Sequence, residues 1–303
     1  MTTGARLIVE HPGVLTTLQD EGRWGWQHLG VPVGGPMDLA SYRRANRLVG
    51  NAPGAAALEV TLVGPTLEIL GPVTLALAGA AFDAHLEGQP LAHERPVYVA
   101  QRARLAIGSR RWGARAYLAV RGGFDTPVVL GSRSTSIGVL GLGSVRRGDI
   151  LQVAVSAEPV AGAADAPPAE RTPHSDEPLR IIAAHADVDE AIATLCSTSY
   201  EIGTQSNRMG YRLNGPHVRV PADVGFSQGT VMGMLQVPPD GQPILLMADR
   251  QTTGGYPVLG VVASVDLPRA GQLVPGDRCT FTPCTRQAAM AALLDRKREG
   301  RDG

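Results

Sequence analysis

Apolar runs in this chain are short and end abruptly. ALEVTLVGPTLEIL, VTLALAGAAFDAHL, ARLAIG and ARAYLAV alternate or stay apolar for about four to eight residues and then stop at Gly or Pro, the pattern of strands bounded by tight turns. The 303 residues include 37 Gly and 23 Pro, so turns are frequent and a helical bundle is excluded as the main architecture. Aromatic residues make up only 4%, which leaves Val, Leu, Ile and Ala to build the core.

A 3.6-residue period appears between Asp38 and Val49, with Leu39, Tyr42, Ala45, Leu48 and Val49 on one face. Asp38 stands at the N-cap position and Gly50 follows the end, so this segment is predicted to be a capped amphipathic helix. Further on, LRIIAA reads as a strand and His185 to Cys196 as a helix opened by Asp187. HVRV, TVMGMLQV, PILLMA and VLGVVASV read as strands, and Arg286 to Arg298 as a closing amphipathic helix. The stretch from Ser156 to Pro178 is rich in Ala, Pro and charge without an apolar period, which marks a linker or surface loop. The chain is therefore predicted to be mostly β with a few short helices: one barrel half over 1–155, a linker over 156–178 and a second barrel half over 179–303. Irregular βαβ spacing excludes a doubly wound sheet, and strand exchange between the halves stays open.

Charge and reactive residues narrow the function. Twenty-eight basic and 28 acidic residues give no net charge, with only 18% of the chain charged, so neither nucleic acid nor an anionic membrane is the expected partner. Lys297 is the single lysine among those 28 basic residues. Its place in DRKREG excludes a P-loop, a Schiff-base lysine and a biotinylated carrier site on this chain. Cys196, Cys279 and Cys284 are irregularly spaced and suggest neither a disulfide framework nor a zinc site. His185 with Asp187, Asp189 and Glu190 resembles a metal cluster only superficially, since a helix N-terminus explains the acids, and no metal is expected. IGVLGLGS reads as turn punctuation. The N-terminus lacks a basic segment followed by an apolar core, and no 18-residue apolar run occurs, so a cytoplasmic protein is expected.

Three stretches are denser in polar residues and Gly than plain turns require. Thr17 to Asp38 holds Asp20, Glu21, Arg23, Gln27 and His28 beside Trp24 and Trp26, then Gly34, Gly35 and Pro36 before the helix. A Gly-Gly-Pro turn at a helix N-terminus can present N–H groups to a carboxylate or oxyanion, although forming the turn is the plainer role. Gly203 to Pro216 carries Gln205, Ser206, Asn207, Arg208, Tyr211 and Arg212, guanidinium and amide groups suited to carboxylates and amides or to a solvated hairpin. Gly241 to Gly260 runs an apolar strand into Asp249, Arg250, Gln251, Thr252, Thr253, Gly254, Gly255 and Tyr256. Groups at the exit of a buried strand are held more rigidly than groups on a free loop.

These segments carry a resemblance. QDEGRWGWQHLGVPVGGPMD, ANRLVGN, ALEVTL, AYLAVRGGFDTP, VLGSRSTS, QSNRMGYRL and GQPILLMADRQTTGGYP, in order from about Leu7 to Phe281, resemble the allophanate hydrolase subunit 2 family. That family includes the C subunit of bacterial 5-oxoprolinase and the antikinase KipA. The resemblance implies two cyclophilin-like β-barrel domains. It implies a hetero-oligomer with a subunit-1 (B) chain, joined by an A subunit in 5-oxoprolinase, and ATP with Mg in that complex. The expected function is ATP-dependent hydrolysis of 5-oxo-L-proline, a small cyclic amide, to L-glutamate. The alternatives are a carboxyltransferase or allophanate hydrolase subunit in urea metabolism and a KipA-like regulator of a sensor-kinase inhibitor. An amidase signature is absent. For 5-oxoproline the expected roles are Arg208 as carboxylate clamp, Asn207 and Gln251 as amide partners, and the Gly34–Gly35 and Gly254–Gly255 amides as oxyanion donors. Asp20 and Asp249 are expected in proton transfer or metal-nucleotide contact, and Ser206, Tyr211, Thr252, Thr253 and Tyr256 as substrate-binding residues.

Overall fold

Turn-bounded apolar segments become strands throughout a computed structural model that describes residues 4–138, 140–154, 177–220 and 227–298. The predicted linker lies outside the described residues except at 177 and 178. Among the described residues, one unit comprises 4–23 and 34–154, and a second comprises 24–33 and 177–298. The division is therefore not a single point in the sequence: ten residues of the first polar stretch group with the C-terminal half.

In the first unit the strands are β1 (Arg6–His11), β2 (Leu15–Gln19), β3 (Ala57–Thr61), β4 (Thr66–Leu70), β5 (Val73–Leu86), β6 (Gln89–Pro90), β7 (Val97–Val99), β8 (Ala103–Val120) and β9 (Ile150–Gln152). They form one sheet in the order β2-β3-β8-β4-β1-β9, with β5 pairing β6, β7 and β8. ARLAIG and ARAYLAV, separate segments in the sequence, are the two ends of β8, which pairs antiparallel with β5 through register shifts between Gly79 and Ala84. Leu58, Val60, Leu67, Leu75, Leu105 and Leu118 dominate its interior, with Phe82 and Phe124 as the aromatic residues of the cluster.

Helix α1 (Leu39–Leu48) forms as predicted. Asp38 caps it by accepting from Ser41 N at 3.0 Å and Ser41 Oγ at 2.6 Å, and Gly50 follows in the left-handed region at φ 71°. Its buried face, Tyr42, Ala45, Leu48 and Val49, packs on Ala57, Ala76, Ala78 and Ala119. Tyr42 and Tyr117 meet edge to face with centroids 6.1 Å apart. The small alanines let the helix approach closely, and Gly79 permits the closest point. At φ 100° a Cβ on Gly79 would lie 2.8 Å from the Arg115 carbonyl oxygen and 3.0 Å from Ser41 Cβ.

In the second unit the strands are β10 (Leu179–Ala183), β11 (Tyr200–Ile202), β12 (Gly210–Asn214), β13 (Gln228–Gly229), β14 (Met234–Gln236), β15 (Ile244–Leu246), β16 (Thr253–Gly254), β17 (Val258–Val262), β18 (Arg278–Cys279) and β19 (Phe281–Pro283). Eight form a sheet in the order β18-β11-β12-β15-β14-β17-β10-β19, and β13 pairs with β16. The predicted strand HVRV is not one: Val218 N bonds Gly241 O, but no ladder forms. The predicted helix at His185 is a 3-10 turn, Ala186–Val188, followed by α2 (Asp189–Cys196) without a side-chain cap. Asp187 instead lies 3.4 Å from His185 Nδ1. A short α3 (Leu267–Ala270) precedes β18. Asp266, nearly buried, accepts from Arg180 N, Nε and Nη2 at 2.9, 2.9 and 2.7 Å, which ties β10 to the turn before α3. The last helix, α4 (Arg286–Arg298), buries only Ala289, a narrower apolar stripe than predicted.

The fold is thus mostly β, with one half-barrel sheet and one nearly closed barrel sheet, consistent with the two barrel domains expected. No described helix is long and apolar enough to cross a membrane. Gly79→Ala is expected to destabilise the chain by about 1–3 kcal/mol, because the added methyl meets backbone in a left-handed conformation; a lower urea midpoint at unchanged slope checks this.

Candidate functional site

The three polar stretches have different fates. In the first, Asp20 leaves the end of β2 with its carboxylate fully engaged. Its Oδ1 accepts from Gly22 N at 2.9 Å, Ser132 Oγ at 2.5 Å and Ser134 Oγ at 2.7 Å, and Oδ2 accepts from Arg133 N at 2.6 Å. Arg23, fully buried, donates Nε to Val129 O at 2.8 Å and Nη2 to Ser134 O at 2.9 Å. Leu18 N bonds Thr135 Oγ1 at 3.1 Å. Residues 18–23 thereby fasten the loop over 129–136. In this structure the Asp20 oxygens, expected in proton transfer or a metal contact, hold the loop.

Gly34 and Gly35 turn in the left-handed region, at φ 68° and 84°. The amides after the turn are engaged from within. Met37 N donates to Glu59 Oε2 at 2.9 Å and Asp38 N to the Tyr117 hydroxyl at 2.9 Å, while that hydroxyl donates to Glu59 Oε2 at 2.7 Å. Glu59 and Tyr117 are wholly buried. Burial first, and then the charge of Glu59, push the Tyr117 phenol far above its ordinary range, so it remains a hydrogen-bond donor. A fixed carboxylate therefore occupies the positive end of α1, where the sequence suggested a substrate anion. Glu59 was missed as a polar anchor; its one sequence signal is an acid in the apolar run ALEVTL.

The second and third stretches are brought together. Asp249 N bonds Arg208 O at 2.8 Å and Met247 N bonds Met209 O at 2.9 Å. Across this join the Arg208 fork meets the Asp249 carboxylate, Nε to Oδ2 and Nη2 to Oδ1, both at 2.9 Å. Arg208 is buried and Asp249 partly so. The guanidinium edge expected to take a substrate carboxylate and the carboxylate expected in proton or metal chemistry hold each other. Ser206 Oγ accepts from Arg212 N at 3.1 Å, and Asn207 Oδ1 accepts from Met209 N at 2.8 Å with the side chain at the surface. Tyr211 is buried in β12 opposite Leu245, a packing position and not an exposed binding group.

Beyond Asp249 the chain presents groups that lack partners. Arg250 is only 7% exposed, yet its Nε has no hydrogen-bond acceptor. Its Nη1 reaches Met247 O and Ala248 O only at 3.4 and 3.5 Å, and no described carboxylate lies within ion-pair distance. Burial lowers its pKa, and the nearby charge of Asp249 opposes the shift. Next to it, Gln251 Nε2 donates to Gln236 Oε1 at 3.4 Å, while Gln236 is 1% exposed and its Nε2 is unpartnered. A Cβ on Gly254 would lie 2.5 Å from that nitrogen, so glycine leaves room for the amide. Thr230 donates its hydroxyl to Gln251 O, and Thr230 N bonds Thr252 O at 3.0 Å. Thr253 and Gly254 are held by β13, and Gly255 and Tyr256 are exposed. A cation, two amides and a glycine backbone can grip a carboxylate and a neutral carbonyl or amide. Arg250 and Gln236 are the residues that the sequence reading left out of the site.

Residues 29–283 match the carboxyltransferase domain, subdomain A and B. The chain belongs to this carboxyltransferase family. It is 35% identical to the C subunit of the Escherichia coli 5-oxoprolinase, covering 96% of each chain. It is also 35% identical to the urea amidolyase of Lachancea kluyveri, over 93% of this chain but 17% of that protein's length. The structure superposes on the Kluyveromyces lactis urea carboxylase with a TM-score of 0.85 and 30% identity, covering all of this chain and 29% of that one. The carboxyltransferase chain thus spans a small part of its urea-metabolising relatives and nearly all of the oxoprolinase subunit.

Asp249→Ala is expected to destabilise the chain by about 3 kcal/mol, because it strands a buried guanidinium. Denaturant unfolding of the variant checks the magnitude.

Proposed function

We propose that this chain is the C subunit of an ATP-dependent 5-oxoprolinase that opens 5-oxo-L-proline to L-glutamate, acting with B and A subunits. The observation that carries the reading is the end-to-end match with the C subunit of the Escherichia coli enzyme, 96% of both chains. The polar shelf after β15 supports it chemically. The substrate has one carboxylate and one secondary amide in a ring, and the shelf offers one guanidinium, two carboxamides and backbone from Gly254 and Gly255.

Opening a five-membered lactam requires polarising a resonance-stabilised amide, so groups aimed at its oxygen lower the barrier more than groups that only bind the ring. In this reading the Gln251 carboxamide orients the lactam and the Gly254–Gly255 backbone donates toward its oxygen. Asn207 stands at the surface of the same unit as a second amide partner, and Ser206, Thr252, Thr253 and Tyr256 are further binding groups in this reading. ATP bound in the complex would supply the driving force for this uphill opening. The described residues do not fit a Mg–nucleotide site: no group of three His, Cys, Asp or Glu is placed to hold a metal, and Asp20 and Asp249 have their oxygens engaged. Nucleotide handling is therefore assigned to a partner subunit, in a cytoplasmic complex.

Reconstitution with the B and A subunits is expected to give ATP-dependent glutamate release from 5-oxoproline. Gln251→Ala is expected to lower kcat/KM by about tenfold or more. No glutamate from the complete complex would overturn the reading. Transfer of a carboxyl group from a biotinylated carrier to urea would favour the second reading, for which the superposition of this whole chain on 29% of the urea carboxylase is the specific support.

A further inference from the structure

Arginines paired with buried or part-buried acids recur among the described residues. Arg180 is paired with Asp266, Arg208 with Asp249 and Arg44 with Glu94. Arg250 differs. As a residue it is as buried as Arg208, but its bonds are two long contacts from Nη1 to carbonyls of its own turn, and its Nε donates to nothing. The adjacent Asp249 turns both carboxylate oxygens to the Arg208 fork and makes no ion pair with Arg250. Removing a cation from water without an anion is costly, and burial accordingly opposes its charged form. Gln236, reached through Gln251, adds a second buried donor with no acceptor, and a Cβ at Gly254 would crowd it. Two unsatisfied buried donors linked by one residue are a cost that a bound ligand would remove.

We propose that Arg250 and the Gln236 carboxamide form a buried subsite for a small carboxylate, Arg250 taking the carboxylate and Gln236 donating to a neighbouring carbonyl oxygen. The proposal rests on the preceding functional reading to the extent that 5-oxoproline is the carboxylate in question. A planar guanidinium matches a carboxylate through two parallel bonds. A phosphate would call for more than one cation or a bed of backbone amides, and the described surroundings of Arg250 offer a single uncommitted guanidinium. Arg250 thus replaces Arg208 as the carboxylate-holding residue.

The test uses the full chain and the reconstituted complex. Thermal unfolding of the chain is measured with 5-oxo-L-proline, with acetate, with 2-pyrrolidinone, which lacks the carboxylate, and with inorganic phosphate, at constant ionic strength. The wild-type chain is expected to melt higher with 5-oxoproline and acetate and to respond to neither pyrrolidinone nor phosphate. Arg250→Gln is expected to remove that response and weaken 5-oxoproline binding by about tenfold or more. Arg250→Met, which replaces a buried unpaired charge with an apolar chain of similar length, is expected to melt at or above the unliganded wild type. A structural arginine would give the opposite result, and marked destabilisation by Arg250→Met overturns the proposal. Equal carboxylate responses in wild type and Arg250→Gln, or a stronger response to phosphate, also overturn it. If the complex releases no glutamate but the Arg250-dependent carboxylate response persists, the functional reading fails and the subsite stands. If the complex hydrolyses 5-oxoproline with an unchanged KM in Arg250→Gln, the subsite fails and the function stands.

Discussion

A carboxylate held by a guanidinium fork fixes the direction of both backbones that carry the pair, and the second unit has such a pair where two strands meet. Asp249 gives both oxygens to Arg208, and the backbones on either side of the pair bond to each other. The ion pair and these bonds fix the start of β12 against the exit of β15. The next residue, Arg250, is turned inward by the same geometry and finds only carbonyls at long range. A deeply placed pair contributes little net stability compared with apolar packing; its effect here is positional, setting the direction of the polar shelf that follows.

The first unit handles its buried polar groups differently. Glu59, Tyr117 and the Met37 and Asp38 amides satisfy one another. Asp20 is saturated by two serines and two backbone amides. Closed networks of this kind make a core specific and rigid. The first unit also leaves buried polar atoms without hydrogen-bond partners, Thr74 Oγ1 and Thr126 Oγ1 among them, so it is the run of Arg250, Gln251 and the Gln236 that Gln251 reaches, and not orphan atoms alone, that marks the site.

Much of the fold was legible from local signals. Turn residues bounding apolar runs located most strands, and Asp38 with Gly50 located α1 to within a residue, because caps and turns are decided by neighbours in sequence. HVRV misled because β-branched residues read as a strand even when no partner edge lies beside them. The site was less legible for a similar reason. Arg208 and Arg250 look equivalent in a string of letters, and only the fold reveals which one Asp249 reaches across 41 positions. Glu59 was hidden in a strand that is otherwise apolar except for Thr61 and whose every side chain is buried. The polar density of the stretches marked the right neighbourhood without distinguishing groups that hold the structure from groups that face a ligand.

The loop over 129–136 has consequences for how the molecule acquires its shape. It has no long strand pairing of its own, only single bridges at Val129–Ser132 and Ser136–Leu142. Its order comes from Leu18, Asp20 and Arg23, more than a hundred positions earlier in the chain. Contacts this distant in sequence form only after the intervening sheet has closed the distance. The loop is thus a late arrival in folding, and the six-residue stretch from Leu18 to Arg23 acts as its latch: a chain that assembles its sheet without those side chains in place would have a framework and no settled rim.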